Sequence, residues 1–259
     1  MLKRFPHSLI LPALLQLLAT CLSCSVKEVR DLCPCLLRLD FSGNDSTLLS
    51  GGVLVRICGQ DSGFAVPETL EFNPGLSPCH SVRVPREEIS LLAVCPPDGS
   101  FLTPDNGKSF PHLWMDCLEI AASGEAVEAE VVLHKSYCEI SMSLRGSSVA
   151  EALPFGLEVW GNVWGYSPEG IPAAGAFRVP VQDGAVCVPR QIDNSLKLDI
   201  VDGEGIVRTF ALGNYMEESG YDWSAPDLAD IQLEIDWSRT SVTFSIDRWS
   251  CGIHFETVL

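Results

Sequence analysis

The sequence has 259 residues, with 34 acidic side chains against 17 basic ones and 11 cysteines. A formal net charge of −17 excludes nucleic acid and polybasic contact with an anionic bilayer, because both phosphate surfaces repel it. Residues 1–23 hold two basic residues and no acidic ones, so the chain beyond them carries about −19. Its length of about 236 residues suits one large domain or two of ordinary size.

The N-terminus reads as a lipoprotein signal over 1–23. Lys3 and Arg4 precede an apolar stretch from 9 to 22, which is too short to span a bilayer and has the length of a signal h-region. Leu22-Ser23-Cys24 sets a small residue before a cysteine, as a lipoprotein signal peptidase requires. Cys21 competes, but Thr20 before it is larger than Ser23. The expectation is a covalent diacylglycerol and an N-acyl chain such as palmitate on Cys24, with no other cofactor. Stable membrane attachment takes two or more acyl chains. Nine thiols then remain, an odd number, so at least one stays unpaired or bridges to another chain. Cys33-Pro34-Cys35 lacks the spacing of a redox or zinc pair. Most of the nine are expected in the core or in structural bridges.

Period-two alternation dominates the chain beyond Cys24. Cys35, Leu37, Leu39 and Phe41 share one parity, and Val53, Val55 and Ile57 do the same. A strand over 127–133 buries Val127, Ala129, Val131 and Leu133. One over 137–145 turns Cys138, Ile140, Met142 and Leu144 inward. Further strands are expected over 157–163, 177–181, 186–188, 196–201, 206–210, 231–237, 242–246 and 253–258. Asp-Gly and Asn-Gly pairs, among them Asp183-Gly184, supply turns between strands. A short helix or ordered loop is expected within 214–230. Twelve to fourteen short strands exceed one simple sandwich. The fold class is therefore all-β, with two tandem sandwiches over 24–134 and 135–259. The break falls near 134–136, or alternatively in the looser 146–154 stretch. No internal sequence repeat is evident.

The C-terminal half carries Val188-Pro189-Arg190-Gln191, Asn194-Ser195-Leu196 and Phe210-Ala211-Leu212-Gly213-Asn214-Tyr215. It continues with Gly220-Tyr221-Asp222-Trp223, Asp227-Leu228-Ala229-Asp230-Ile231 and Ile235-Asp236-Trp237. With Cys24 and Asp31-Leu32-Cys33-Pro34 at the other end, this series resembles the FimB-type fimbrial anchor lipoproteins of Bacteroidales, which hold type V fimbriae. Trp237 stands where that family often has tyrosine. The resemblance implies two transthyretin-like β-sandwiches. It also implies attachment to the outer membrane at the cell surface, and fimbrial shaft subunits as partners through strand complementation. Limiting fibre length is a second candidate role. An anchor must keep its lipidated N-terminus, so Arg30 is expected to escape the arginine-specific processing of shaft subunits. Val242, Phe244, Ile246, Ile253 and Phe255 are the candidates for pairing with a partner, unless they simply close their own sheet.

Trp160, Trp164 and Tyr166 share a strand parity. They form either a face that binds glycan or host protein, or a cover for the contact between the sandwiches. The second is favoured, because large aromatics are costly to leave bare. No catalytic or metal motif is found. His80, His112, His134 and His254 lack zinc-protease spacing, and nucleotide loops and a G-x-S-x-G elbow are missing. No enzyme activity is expected. The alternatives to an anchor are a surface lipoprotein that binds glycan or host protein, and a shaft or tip subunit.

Overall fold

The computed structural model describes residues 33–253, apart from 72–77, 99–100, 103–104, 106, 146–155, 203, 237–240 and 247–248; 241–253 are described by their backbone. The protein is all-β. In the N-terminal half, β1 (Cys35–Asp40) leads into a one-turn helix, Ser46–Leu49. There follow β2 (Val53–Gly59), β3 (Ala65–Leu70), β4 (Cys79–Val84), β5 (Glu88–Cys95), β6 (Trp114–Ala121), β7 (Ala126–Glu130) and the short β8 (His134–Lys135). The C-terminal half runs β9 (Tyr137–Arg145), β10 (Gly156–Tyr166), β11 (Pro172–Pro180), β12 (Ala185–Pro189), β13 (Lys197–Asp202) and β14 (Gly205–Phe210). After helix Leu212–Glu218 come β15 (Ile231–Asp236), β16 (Ser241–Ile246) and β17 (Trp249–Ile253).

The two halves repeat one topology. The first half has sheets β4-β1-β7 and β3-β2-β5-β6-β8, and the second has β12-β9-β15-β16-β17 and β11-β10-β13-β14. In each, the first strand lies between the fourth, to which it is antiparallel, and the seventh, to which it is parallel. In each, the second strand pairs with the third and the fifth, and the fifth with the sixth, all antiparallel. β8 and the β16–β17 pair are additions to this seven-strand unit. Every strand pairing among the described residues stays within 35–135 or within 137–253.

Alternation positions the cores. Leu37 and Leu39 of β1 face Val55 and Ile57 of β2 and Ile89 and Leu91 of β5, all buried. In the second half Ile140, Val188 and Leu233 from one sheet meet Val159, Val179 and Leu198 from the other. β5 is buried on both faces. Leu91 and Ala93 point into the first sandwich, while Leu92 and Val94 belong to the core of the second. The outer face of β5–β6 therefore packs on the C-terminal sandwich through Leu92, Val94 and Met115, with Phe101, Phe110 and Leu113 beside them. The Asp183-Gly184 turn has positive φ at both residues and joins the Gln182–Ala185 bridge, as a two-residue hairpin turn of this hand requires.

Some expectations change here. The strand expected over 127–133 ends at Glu130. The Val131 N–H makes the last bond to β1, at the Asp40 carbonyl, while the Val132 and Leu133 N–H groups donate to the side-chain oxygens Asp116 Oδ2 and Asn44 Oδ1 instead of to a ladder. The last strand lies over Trp249–Ile253, and 254–258 falls outside the described residues. Cys35, Cys95, Cys138 and Cys187 are buried thiols of the core. Cys33, Cys58 and Cys117 are exposed, and these seven are in no disulfide. The expectation of core cysteines holds for four positions, and that of structural bridges does not hold for these seven.

Candidate functional site

The motif residues of the C-terminal half converge on one segment, 219–230, which runs from the helix to β15. Arg190, just after β12, donates from its guanidinium to the carbonyls of Trp223, Ala225 (2.8 Å) and Pro226 (3.0 Å). Tyr221 O–H donates to the Ala229 carbonyl at 2.8 Å. Asp227 Oδ1 accepts the Lys135 N–H at 2.7 Å, and its Oδ2 lies 3.2 Å from His134 Nδ1. Asp230 Oδ1 accepts the Glu139 N–H at 2.9 Å and pairs with the Lys135 ammonium. Gly213 passes so near Asn194 that an added Cβ would lie 2.6 Å from its carbonyl oxygen. These residues therefore fasten a long segment to the first strand of the sandwich and to the 134–136 connection. Satisfying backbone groups in this way is what an irregular segment needs to stay packed.

Trp160, Trp164 and Tyr166 do not form one face. The β10–β11 register shifts twice, between Gly161 and Val163 and between Val163 and Tyr166, and Gly165 within the second shift has φ +116°. Each bulge breaks the two-residue period. Trp164 turns inward, stacks on Phe177 (centroids 4.5 Å) and meets Phe110 edge-on at 5.5 Å. Tyr166 is buried. Its hydroxyl donates to the Ser136 carbonyl at 2.6 Å and accepts the Arg190 N–H at 3.2 Å. Burial holds this phenol up at about 12. These two residues cover the contact between the sandwiches. Trp160 alone stays on the outer face, half-buried, with Lys197 Nζ 4.5 Å and Arg178 Cζ 5.7 Å from its ring. Together with Asn162 and Ser195 it lines an open cleft of about 530 Å³.

Val242, Phe244 and Ile246 lie on β16, in register with Ile235, Leu233 and Ile231 of β15 on one side. On the other side they meet Ile253, Cys251 and Trp249 of β17. In the isolated chain these strands close their own sheet, and β17 forms its edge. Phe255 and Cys24 lie outside the described residues.

Burial of the thiols raises Cys187 to about 11 and Cys138 to about 12. That is the reverse of what a nucleophilic cysteine needs. Among the described residues, His134 is engaged by the structural Asp227. No helix of the described residues is long and apolar enough to cross a membrane.

No protein-family model matches the chain, and no curated protein matches it in sequence. Solved structures do share the fold. A candidate adhesin from Bacteroides ovatus superposes with a TM-score of 0.59 at 13% identity, over 86% of this chain and 96% of its own. A candidate polysaccharide-binding protein from Bacteroides thetaiotaomicron gives 0.59 at 11% identity, over 86% and 98%. The fimbrial anchor protein Mfa2 from Porphyromonas gingivalis gives 0.55 at 10% identity, over 84% and 99%. The chain thus has the two-sandwich fold found in fimbrial and adhesin proteins of Bacteroidales.

Proposed function

We propose that this chain is the lipid-anchored base subunit of a fimbrium. Cys24 carries the acyl chains in the outer membrane, the two sandwiches transmit load, and a strand contact engages the first shaft subunit. Limiting fibre length is a natural consequence of occupying that end. The observation that carries the reading is the β16–β17 pair, which is surplus to a seven-strand unit already complete in both halves. At the topologically equivalent place in the first half, β7 is an edge. Strands that a fold does not need are the ones that can be lent to a neighbour, with main-chain bonds giving affinity and alternate side chains giving specificity. The lipoprotein signal supports the position at the membrane, and the fold shared with a fimbrial anchor supports the role.

Mass spectrometry of the chain within isolated fibres separates this from the related roles. A base subunit starts at an acylated Cys24 and retains Arg30. A chain starting at Asp31 is a shaft or tip subunit instead. The second reading, a glycan-binding surface lipoprotein, draws on the Trp160 cleft with its flanking Asn162, Arg178 and Lys197. It requires carbohydrate affinity that Trp160→Ala abolishes without unfolding the chain.

A further inference from the structure

Three separate segments bring potential metal ligands together where the two sandwiches meet. His112 lies in the connection before β6, Glu139 on β9 and Cys187 on β12. Glu139 and Cys187 are cross-strand partners, so their side chains leave the same face of the sheet. The connection bearing His112 is tied to them through the backbone. Phe110 N–H donates to the Cys187 carbonyl at 3.0 Å, and Cys187 N–H donates to Ser109 Oγ at 2.7 Å. His112 stacks on Tyr137 with centroids 4.6 Å apart and planes 8° from parallel. Stacking fixes the imidazole plane and leaves the ring nitrogens free at its edge.

A simple ion pair does not account for this arrangement. His112 Nε2 and Glu139 Oε2 are 3.9 Å apart, beyond hydrogen-bond length. Yet a nitrogen, a carboxylate oxygen and a sulfur all lie within 4.8 Å of one another. We propose that His112, Glu139 and Cys187 form a site for one zinc-class divalent cation that braces the contact between the two sandwiches.

Imidazole, carboxylate and thiolate are the ligand types zinc takes, and tetrahedral bonds of ~2.0–2.3 Å set ligand atoms about 3.3–3.8 Å apart. A contraction of about 1 Å reaches that geometry. The His112 and Glu139 side chains, 56% and 38% exposed, have the freedom to make it. Water fills the fourth position. The surroundings suit a cation, since Asp230 bonds the Glu139 N–H and the Lys135 ammonium is committed to Asp230. On binding, the Cys187 S–H proton passes to solvent and the sulfur ligates as thiolate. Burial alone disfavours that ionisation, and the charge of the metal offsets it.

Cobalt(II) is the probe, because it adopts zinc geometry and reports thiolate ligation by a near-ultraviolet charge-transfer band. The mature full-length chain, reduced and stripped with a chelator, should develop this band to saturation at one equivalent. Cys187→Ser should remove it, while Cys58→Ser and Cys117→Ser should leave it intact. Glu139→Gln and His112→Ala, both at accessible side chains, should weaken cobalt affinity at least about tenfold, since even outer-shell changes cost 10–100-fold. Zinc should raise the melting temperature of the parent chain and not that of His112→Ala. No thiolate band, an undiminished band in Cys187→Ser, or an equal zinc-induced rise in His112→Ala would each overturn the site.

Discussion

Arg190 holds the 219–230 segment by three of its carbonyls, and its own N–H is bonded to Tyr166. Charged hydrogen bonds of this kind contribute more than neutral ones. Arg190→Met should therefore destabilise the chain by about 2–4 kcal/mol, seen as a lower urea midpoint with little change in slope. An unchanged midpoint would mean that the segment is held elsewhere. Tyr166 adds a dependence on pH. Burial raises its phenol from the ordinary 10 to about 12, so between those values the unfolded chain has released a proton that the folded chain keeps. Stability from this group is complete below pH 10 and is lost as pH rises towards 12. In the metal-free chain Cys187 acts in the same direction from a lower start, because burial raises its thiol from 9.0 to about 11. The urea midpoint should fall from pH 9 upwards, and Tyr166→Phe should flatten the part of that fall above pH 10. A flat midpoint between pH 8 and 11 would contradict both assignments.

At the scale of elements, the close approach of helix Leu212–Glu218 to the 191–196 loop depends on Gly213. The obstructing atoms are Asn194 backbone and cannot rotate away. Gly213→Ala should cost about 1–3 kcal/mol, the usual range for overpacking, with Gly51→Ala as a control where an added Cβ comes no nearer than 3.8 Å to the Leu48 carbonyl oxygen. A different result is expected from removing 241–259. Each half is built on seven strands, so the truncated chain should keep its near-native far-ultraviolet spectrum while losing affinity for shaft subunits. Retained affinity would place the partner contact on another edge. Strands exposed on one side were legible in the sequence, because burial on one face leaves period two. β1, β2 and β9 are of this kind, as is the first part of β10. β5 was not legible, because Leu91, Leu92, Ala93 and Val94 are buried on alternate faces against two different cores, which erases alternation. β3 was hidden by Pro67, tolerated there because it is an edge strand. The bulges in β10 have only Gly161 and Gly165 as a sequence signal, and that signal does not give their register. The cluster of His112, Glu139 and Cys187 was illegible for a further reason, since its members come from three segments that only the fold brings together.

At the scale of the whole molecule, two copies of one topology are joined through a shared apolar seam instead of a flexible linker. Phe101, Phe110, Trp164 and Tyr166 fill it. The 134–136 connection crosses it with hydrogen bonds to both sides: Ser136 N–H to Leu113, and the Ser136 carbonyl to Tyr166. Such a seam suits the proposed base role, in which tension passes from a fibre to a membrane. Trp164→Ala should remove the stacking on Phe177 and leave a cavity at this contact, costing about 3–5 kcal/mol. Calorimetry should then resolve two unfolding transitions where the parent chain gives one. A single transition at an unchanged temperature would mean that the sandwiches are not coupled through this residue.

The most direct measurement of the proposed role is made on Cys24→Ala in cells that assemble the fibre, once export and folding of the variant have been verified. Fibres attached to cells are counted against fibres released into the medium. A lipid-anchored base subunit predicts normally built fibres shed from the surface. Fibres retained at normal length and number would contradict the anchor role and turn attention to the Trp160 cleft.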